Sequence, residues 1–183
     1  MENKTNLVSF KSSLKEFTYT LLYPSLLGSM IFQIISEVFQ NENPGCLINE
    51  FLVLFLYIID WFFIRYCLSK EIEERKENNT RYHIFDILIP VLYTLSFFSI
   101  RSDHTLITCL LLSIALILID IYLFKMRSVL FLFLVMTIVP ILFTVINLFD
   151  LVDCTENLIF MNILLVIIYL VIARIAYIHK IKN

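Results

Sequence analysis

Two aspartates stand where an ordinary solvated carboxylate would not. Asp60 and Asp120 each lie inside a long apolar run, five positions before a basic residue, Arg65 or Lys125. If those basic residues mark a membrane interface, helical rise puts both carboxylates roughly 7–8 Å into hydrocarbon. A charge at that depth costs on the order of 2–3 kcal/mol or more, which makes each a functional candidate. Neither can simply pair with its own basic residue, because a five-residue step turns about 140° around a helix. Three roles compete. The pair could line a proton or cation path. They could accept hydrogen bonds from Tyr, Ser or Thr on neighbouring helices and act as assembly glue. A local water defect could also hydrate them. The hydrogen-bonded brace is the preferred reading. Gln33, deep in the first apolar run, is the most obvious further polar partner, and Asp86 reads as solvated near an interface.

The remaining reactive residue types form no catalytic pattern. Glu73-Glu74 resembles the start of the Glu-Glu-x-x-x-Arg element of intramembrane CPBP-type proteases, but Asn78 occupies the Arg position and paired His motifs are absent. His83, His104 and His179 fall at opposite ends or faces of the apolar runs, so no shared metal site is expected. With only Gly28 and Gly45, the chain has no Gly-rich phosphate loop. Four Cys make neither a disulfide framework nor a zinc spacing. Cys46 and Cys154 fall in loops on the same side and could pair in an oxidising exterior. Cys67 and Cys109 read as small buried apolar residues. The expectation is a non-enzyme with no catalytic residues, no cofactor and no metal.

The elements that must position these residues are apolar. The chain has 183 residues, 60% hydrophobic and 16% charged, against about 25% charged in a soluble domain. Its net charge of −2 points to no direct nucleic-acid partner. The polar first residues, with Glu2 and Glu16, argue against a cleaved signal peptide. Six apolar segments follow: Phe17–Phe39, Leu47–Leu68, Ile84–Ile100, Thr105–Phe124, Ser128–Phe149 and Leu158–Ile178. Each approaches the roughly 20 residues a spanning helix needs. The fold class expected is an all-α polytopic integral membrane protein of about six transmembrane helices, with residues 1–183 as one transmembrane domain. With both termini cytoplasmic, the inner side collects every Lys and Arg of the 14 except Arg101. The outer side is acidic, with Glu37, Glu42, Glu50, Asp103, Asp150, Asp153 and Glu156 read as solvated loop residues.

Three cytoplasmic segments follow from this orientation: 1–16, 69–83 and 179–183. Leu7, Phe10, Leu14 and Phe17 with Lys4, Lys11 and Lys15 could make the first an amphipathic helix on an anionic leaflet, and Ser13-x-x-Glu16 has the form of a capping box. The long loop Ser69–His83 is nearly charge-balanced: Lys70, Arg75, Lys76 and Arg81 against Glu71, Glu73, Glu74 and Glu77. A lipid-binding patch would be one-sided. Mixed charge suits solvation or a docked protein, and Lys70, Glu71, Glu73, Glu74, Arg75, Lys76 and Arg81 are the candidate docking residues.

The odd-numbered runs each carry one proline, Pro24, Pro90 or Pro140, followed two residues later by Leu26, Leu92 or Leu142. The even-numbered runs carry Ile59-Asp60, Ile119-Asp120 and Ile168-Tyr169, each followed by a basic residue. This pattern suggests three copies of a helical hairpin. Mitochondrial carriers also have three hairpins with such prolines, but the chain lacks their acidic residue two places on. A proline inside a helix frees a carbonyl one turn back, and Ser25, Thr94 and Thr144 stand near enough to re-satisfy it.

In overall format the chain resembles the small membrane subunits of bacterial antiphage defence systems such as Kiwa. The resemblance lies in size, helix-rich layout, compositional bias and a short charged inner face, and it transfers no site residues. It implies a membrane sensor in the bacterial inner membrane that oligomerises and anchors a cytosolic partner. A small oligomeric channel or transporter subunit using Asp60 and Asp120 is the alternative. Six runs in about 180 residues also resemble the substrate-binding subunits of energy-coupling-factor transporters, but few Gly and Ala argue against their close packing.

Overall fold

The computed structural model describes residues 17–40, 44–62, 81–101, 104–123, 127–148 and 154–182. All are helical except His104, so the fold is all-α. A π-helical run Phe17–Leu22 leads into α1 (Tyr23–Gln40). Then follow α2 (Pro44–Phe62), α3 (Arg81–Arg101), α4 (Thr105–Leu123), α5 (Arg127–Leu148) and α6 (Cys154–Lys182). The six apolar runs therefore correspond to the six helices. Three stretches, Phe17–Phe39, Pro44–Phe62 and Asn157–Ile175, are long and apolar enough to cross a membrane. The other three helices hold shorter apolar stretches, Ile84–Ile100, Thr105–Ile121 and Leu134–Leu148.

The element ends follow local chemistry. Pro44 opens α2, where its missing N–H costs nothing. Pro24 sits at the change from π to α winding, again without an N–H to satisfy. Pro90 and Pro140 lie inside α3 and α5. Thr94 Oγ1 donates to the Pro90 carbonyl at 2.8 Å, and Thr144 Oγ1 to the Pro140 carbonyl at 2.8 Å. Each hydroxyl thus back-bonds to the carbonyl four residues before it. It serves the proline's own carbonyl rather than the one freed a turn earlier. The corresponding place after Pro24 is Gly28, which has no hydroxyl to offer.

Helices α2 to α6 close a ring: α3 packs on α4, α4 on α5, α5 on α6, α6 returns to α2, and α2 meets α3. Helix α1 lies against α2 and α3. Because α4 packs about as extensively on α5 as on α3, the hairpins are not separate units. The ring interior holds Tyr57, Tyr93, Phe97, Leu112, Leu116, Met161, Leu165 and Tyr169, all fully buried. Its exterior is apolar as well. Phe32, Ile35, Val38 and Phe39 of α1 are exposed, as are Phe160, Ile167, Leu170 and Val171 of α6. Exposed large hydrophobic side chains occur on every one of the six helices, whereas a soluble monomer rarely shows a contiguous apolar patch beyond a few hundred Å².

Leu116→Ala opens a cavity in this interior and should cost about 2–5 kcal/mol in reversible unfolding from mild detergent. Phe39→Ala, on a side chain 83% exposed, should change the same stability by less than about 0.5 kcal/mol.

Candidate functional site

Both predicted aspartates face inward. Asp60, near the C-terminal end of α2, is 1% exposed, and Asp120, near the end of α4, is 8% exposed. The Tyr169 hydroxyl of α6 donates to Asp60 Oδ1. Thr137 Oγ1 of α5 donates to Asp120 Oδ2 at 2.6 Å. Each carboxylate therefore receives one hydroxyl from a neighbouring helix. The second oxygens, Asp60 Oδ2 and Asp120 Oδ1, are buried and accept no hydrogen bond among the described residues. Arg65 and Lys125, the basic residues that define the depth argument, lie outside the described residues.

Aromatic rings surround Asp60. Tyr23, Tyr57, Tyr93 and Tyr169 all lie within its electrostatic reach, as does the buried carboxyl group of Asp86 on α3. Tyr23 stacks on Tyr19, with ring centroids 5.8 Å apart, and on Trp61 at 6.4 Å. Tyr57 leans on Tyr23 at 5.5 Å and meets the edge of Tyr93 at 6.3 Å. The Tyr57 hydroxyl donates to the Tyr23 carbonyl at 2.9 Å, which ties α2 to α1. The Tyr93 hydroxyl is buried with no hydrogen-bond partner among the described residues. Four helices thus converge on one carboxylate. Tyr169 presents an apolar ring to the core and its hydroxyl to the acid, while the other three rings pack beside it.

Gln33 does not join either aspartate. Its Nε2 donates to Glu37 Oε1 at 2.7 Å, one turn along the same helix face. The α1 residue near Asp60 is Tyr23, and the ten residues from there to Gln33 rise about 15 Å along the axis. Glu37 and Glu50 are 2% and 0% exposed, which corrects their reading as solvated outer acids. Asp86 is likewise buried rather than solvated. In each case the helix face carrying the acid packs against a neighbour. A second polar layer lies near Glu50, where Asn162 Nδ2 of α6 donates to Asn49 Oδ1 of α2 at 2.9 Å. A sulfur relay joins three helices: Asn147 Nδ2 contacts Cys109 Sγ at 3.6 Å, and Cys109 Sγ contacts Met161 Sδ at 3.8 Å. Cys109 is buried as its composition suggested, but it also carries polar contacts.

Comparison with protein-family models, with curated proteins and with solved structures found no match.

Several expectations fall elsewhere. Lys70, Glu71, Glu73, Glu74, Arg75 and Lys76 lie outside the described residues; Arg81 opens α3, with its side chain outside them. Cys46 is in the first turn of α2 and Cys154 begins α6, so neither sits in a loop as expected. The side chain of Cys154 lies outside the described residues. Among the described residues no cluster of His, Cys, Asp and Glu could hold a metal. Sequence reasoning missed Tyr169 as the partner of Asp60. One signal for it exists: Ile168-Tyr169 stands in the third hairpin where Ile59-Asp60 stands in the first.

Tyr169→Phe removes the one hydrogen bond to Asp60 among the described residues and should cost about 1–3 kcal/mol. Thr137→Val should do the same at Asp120. In an Asp60→Asn, Tyr169→Phe double-mutant cycle the two effects should fail to add by at least about 0.5 kcal/mol, read from unfolding in detergent micelles.

Proposed function

We propose that this chain is a non-enzymatic integral membrane subunit with six spans, which assembles with copies of itself and anchors a cytosolic protein at the bacterial inner membrane. The observation that carries this reading is its inverted polarity. Acids and amides point inward, while Phe, Leu, Ile and Val cover the outside. Hydrocarbon favours that arrangement, since polar groups in lipid must find partners inside the protein. α3, α4 and α5 have 21, 19 and 22 residues, so each rises about 28–33 Å and suits a hydrocarbon core near 30 Å. The hydroxyl donors on Asp60 and Asp120 favour a bracing role for these carboxylates.

Thirteen of the 14 Lys and Arg residues favour inward termini and a cytoplasmic Ser69–His83 loop. That loop is the largest inner polar surface and is the proposed docking element. The formal resemblance to defence subunits supports a role as a membrane sensor in antiphage defence. Replacing Ser69–His83 with a Gly/Ser segment of equal length should abolish co-purification of the cytosolic partner in mild detergent while the chain still reaches the membrane. Equal recovery of the same partners from both forms would remove the docking role.

A second reading, an oligomeric channel or transporter subunit, is favoured by the buried oxygens of Asp60 and Asp120 that accept no bond. It predicts that Asp60→Asn with Asp120→Asn lowers proton or cation flux into proteoliposomes at least about tenfold. The anchoring role predicts flux at the protein-free background in both forms.

A further inference from the structure

Bracing leaves the Asp60 carboxylate only half satisfied. Asp60 is 1% exposed, and among the described residues no Lys or Arg is buried. A buried carboxyl group is neutralised by a proton or by a cationic partner, because removing the bare charge from water costs far more than one hydroxyl returns. Tyr169 satisfies Asp60 Oδ1. Oδ2 remains, and so does the hydroxyl of Tyr93, which is 0% exposed and within electrostatic reach of both Asp60 and Tyr169. Two orphan polar oxygens from different helices are thus buried within electrostatic reach of each other. The walls are electron-rich: Tyr23, Tyr57 and Tyr93 contact one another ring to ring beside the carboxylate.

We propose that this centre binds one small monovalent cation, held by Asp60 Oδ2 and the Tyr93 hydroxyl oxygen against the aromatic rings of Tyr23 and Tyr57. The chemistry specifies the ligand class. A carboxylate oxygen accepts and a phenol oxygen can accept, so a donor or a cation fits between them. Ring faces attract cations of low charge density, and their contribution grows when water is excluded. A divalent ion is disfavoured: one carboxylate offsets only one of its two charges, and among the described residues no cluster of three or more His, Cys, Asp and Glu exists to supply the rest. Ammonium and the alkali cations share the required charge and size. The site sits where α1, α2, α3 and α6 meet, so occupancy would tighten the junction between the ring and its outer helix.

The inference goes beyond the anchoring role. It shares Asp60 with the conduction reading but requires no flux, so binding without flux would separate the two. Trp61 is the only tryptophan and stacks on Tyr23, which places a fluorophore at the site. The test titrates purified protein in lipid nanodiscs with ammonium, sodium or potassium chloride at fixed pH, with choline chloride holding ionic strength constant. We expect a saturable change in Trp61 emission with at least one of the three, and none with magnesium chloride. Asp60→Asn should abolish it. Tyr93→Phe keeps the ring and deletes only the orphan hydroxyl, so it should fold normally and raise the half-saturating concentration several-fold. A purely structural Tyr93 predicts no change in that concentration. Silence from all three salts overturns the proposal, as does an equal response in Asp60→Asn or Tyr93→Phe. A Trp61 response to pH alone also overturns it, because the proton would then be the sole occupant.

Discussion

A carboxylate taken out of water has to be given hydrogen bonds by the protein, and Asp60 is where that constraint is sharpest. The acid lies near the end of α2, yet its donor comes from α6, the last helix of the chain. The two helices can be neighbours only if the intervening three turn back and close the ring. The contact is 109 positions apart in sequence, so forming it commits the fold as a whole. Losing either partner would strand a buried polar group, which is more costly than never having buried the pair.

Other helix interfaces repeat the device at smaller scale. α1 and α2 are joined by the Tyr57 hydroxyl on the Tyr23 carbonyl. α3 and α4 are joined by Ser99 and Thr108, with their oxygens 2.7 Å apart. α4 and α5 are joined by Thr137 on Asp120, and α2 and α6 also by Asn162 on Asn49. Apolar packing supplies contact between helices but little register, since Leu, Ile and Phe faces fit one another in many ways. In lipid it also supplies little net drive, because the tails are as apolar as the side chains. A few directional bonds between helices select one arrangement from many. That division of labour fits the burial of Asn49, Asp60, Thr108, Asp120, Thr137 and Asn162.

The helices were legible in the sequence, and the contacts between them were not. Six apolar runs separated by polar breaks became six helices, because length and hydropathy are local properties. Asp60 and Asp120 were legible as unusual, because burial in an apolar run is local too. Their hydroxyl donors were foreseeable in kind: only the correspondence of Ile168-Tyr169 with Ile59-Asp60 sets Tyr169 apart from the other tyrosines, and nothing local distinguishes Thr137 from Thr144. Gln33 shows the limit. It was matched to the aspartates on hydropathy depth alone, and it went to Glu37 because a partner one turn away on the same face is always within reach. The burial of Glu37, Glu50 and Asp86 was missed for a related reason. Position near the end of an apolar run says how deep a residue lies, but not which way its helix face is turned.

The amino-acid sequence by itself determined that the chain is all-α, where its helices run, and that two acids must be handled away from water. Those follow from composition and spacing, which act within one or two turns. Only the tertiary structure decided that α2 to α6 form a closed ring, that Tyr169 serves Asp60, and that four tyrosines gather around that acid. The reason is the long separation of the partners. A helix's period states which residues share a face, but which faces meet depends on the packing of every other helix in the ring.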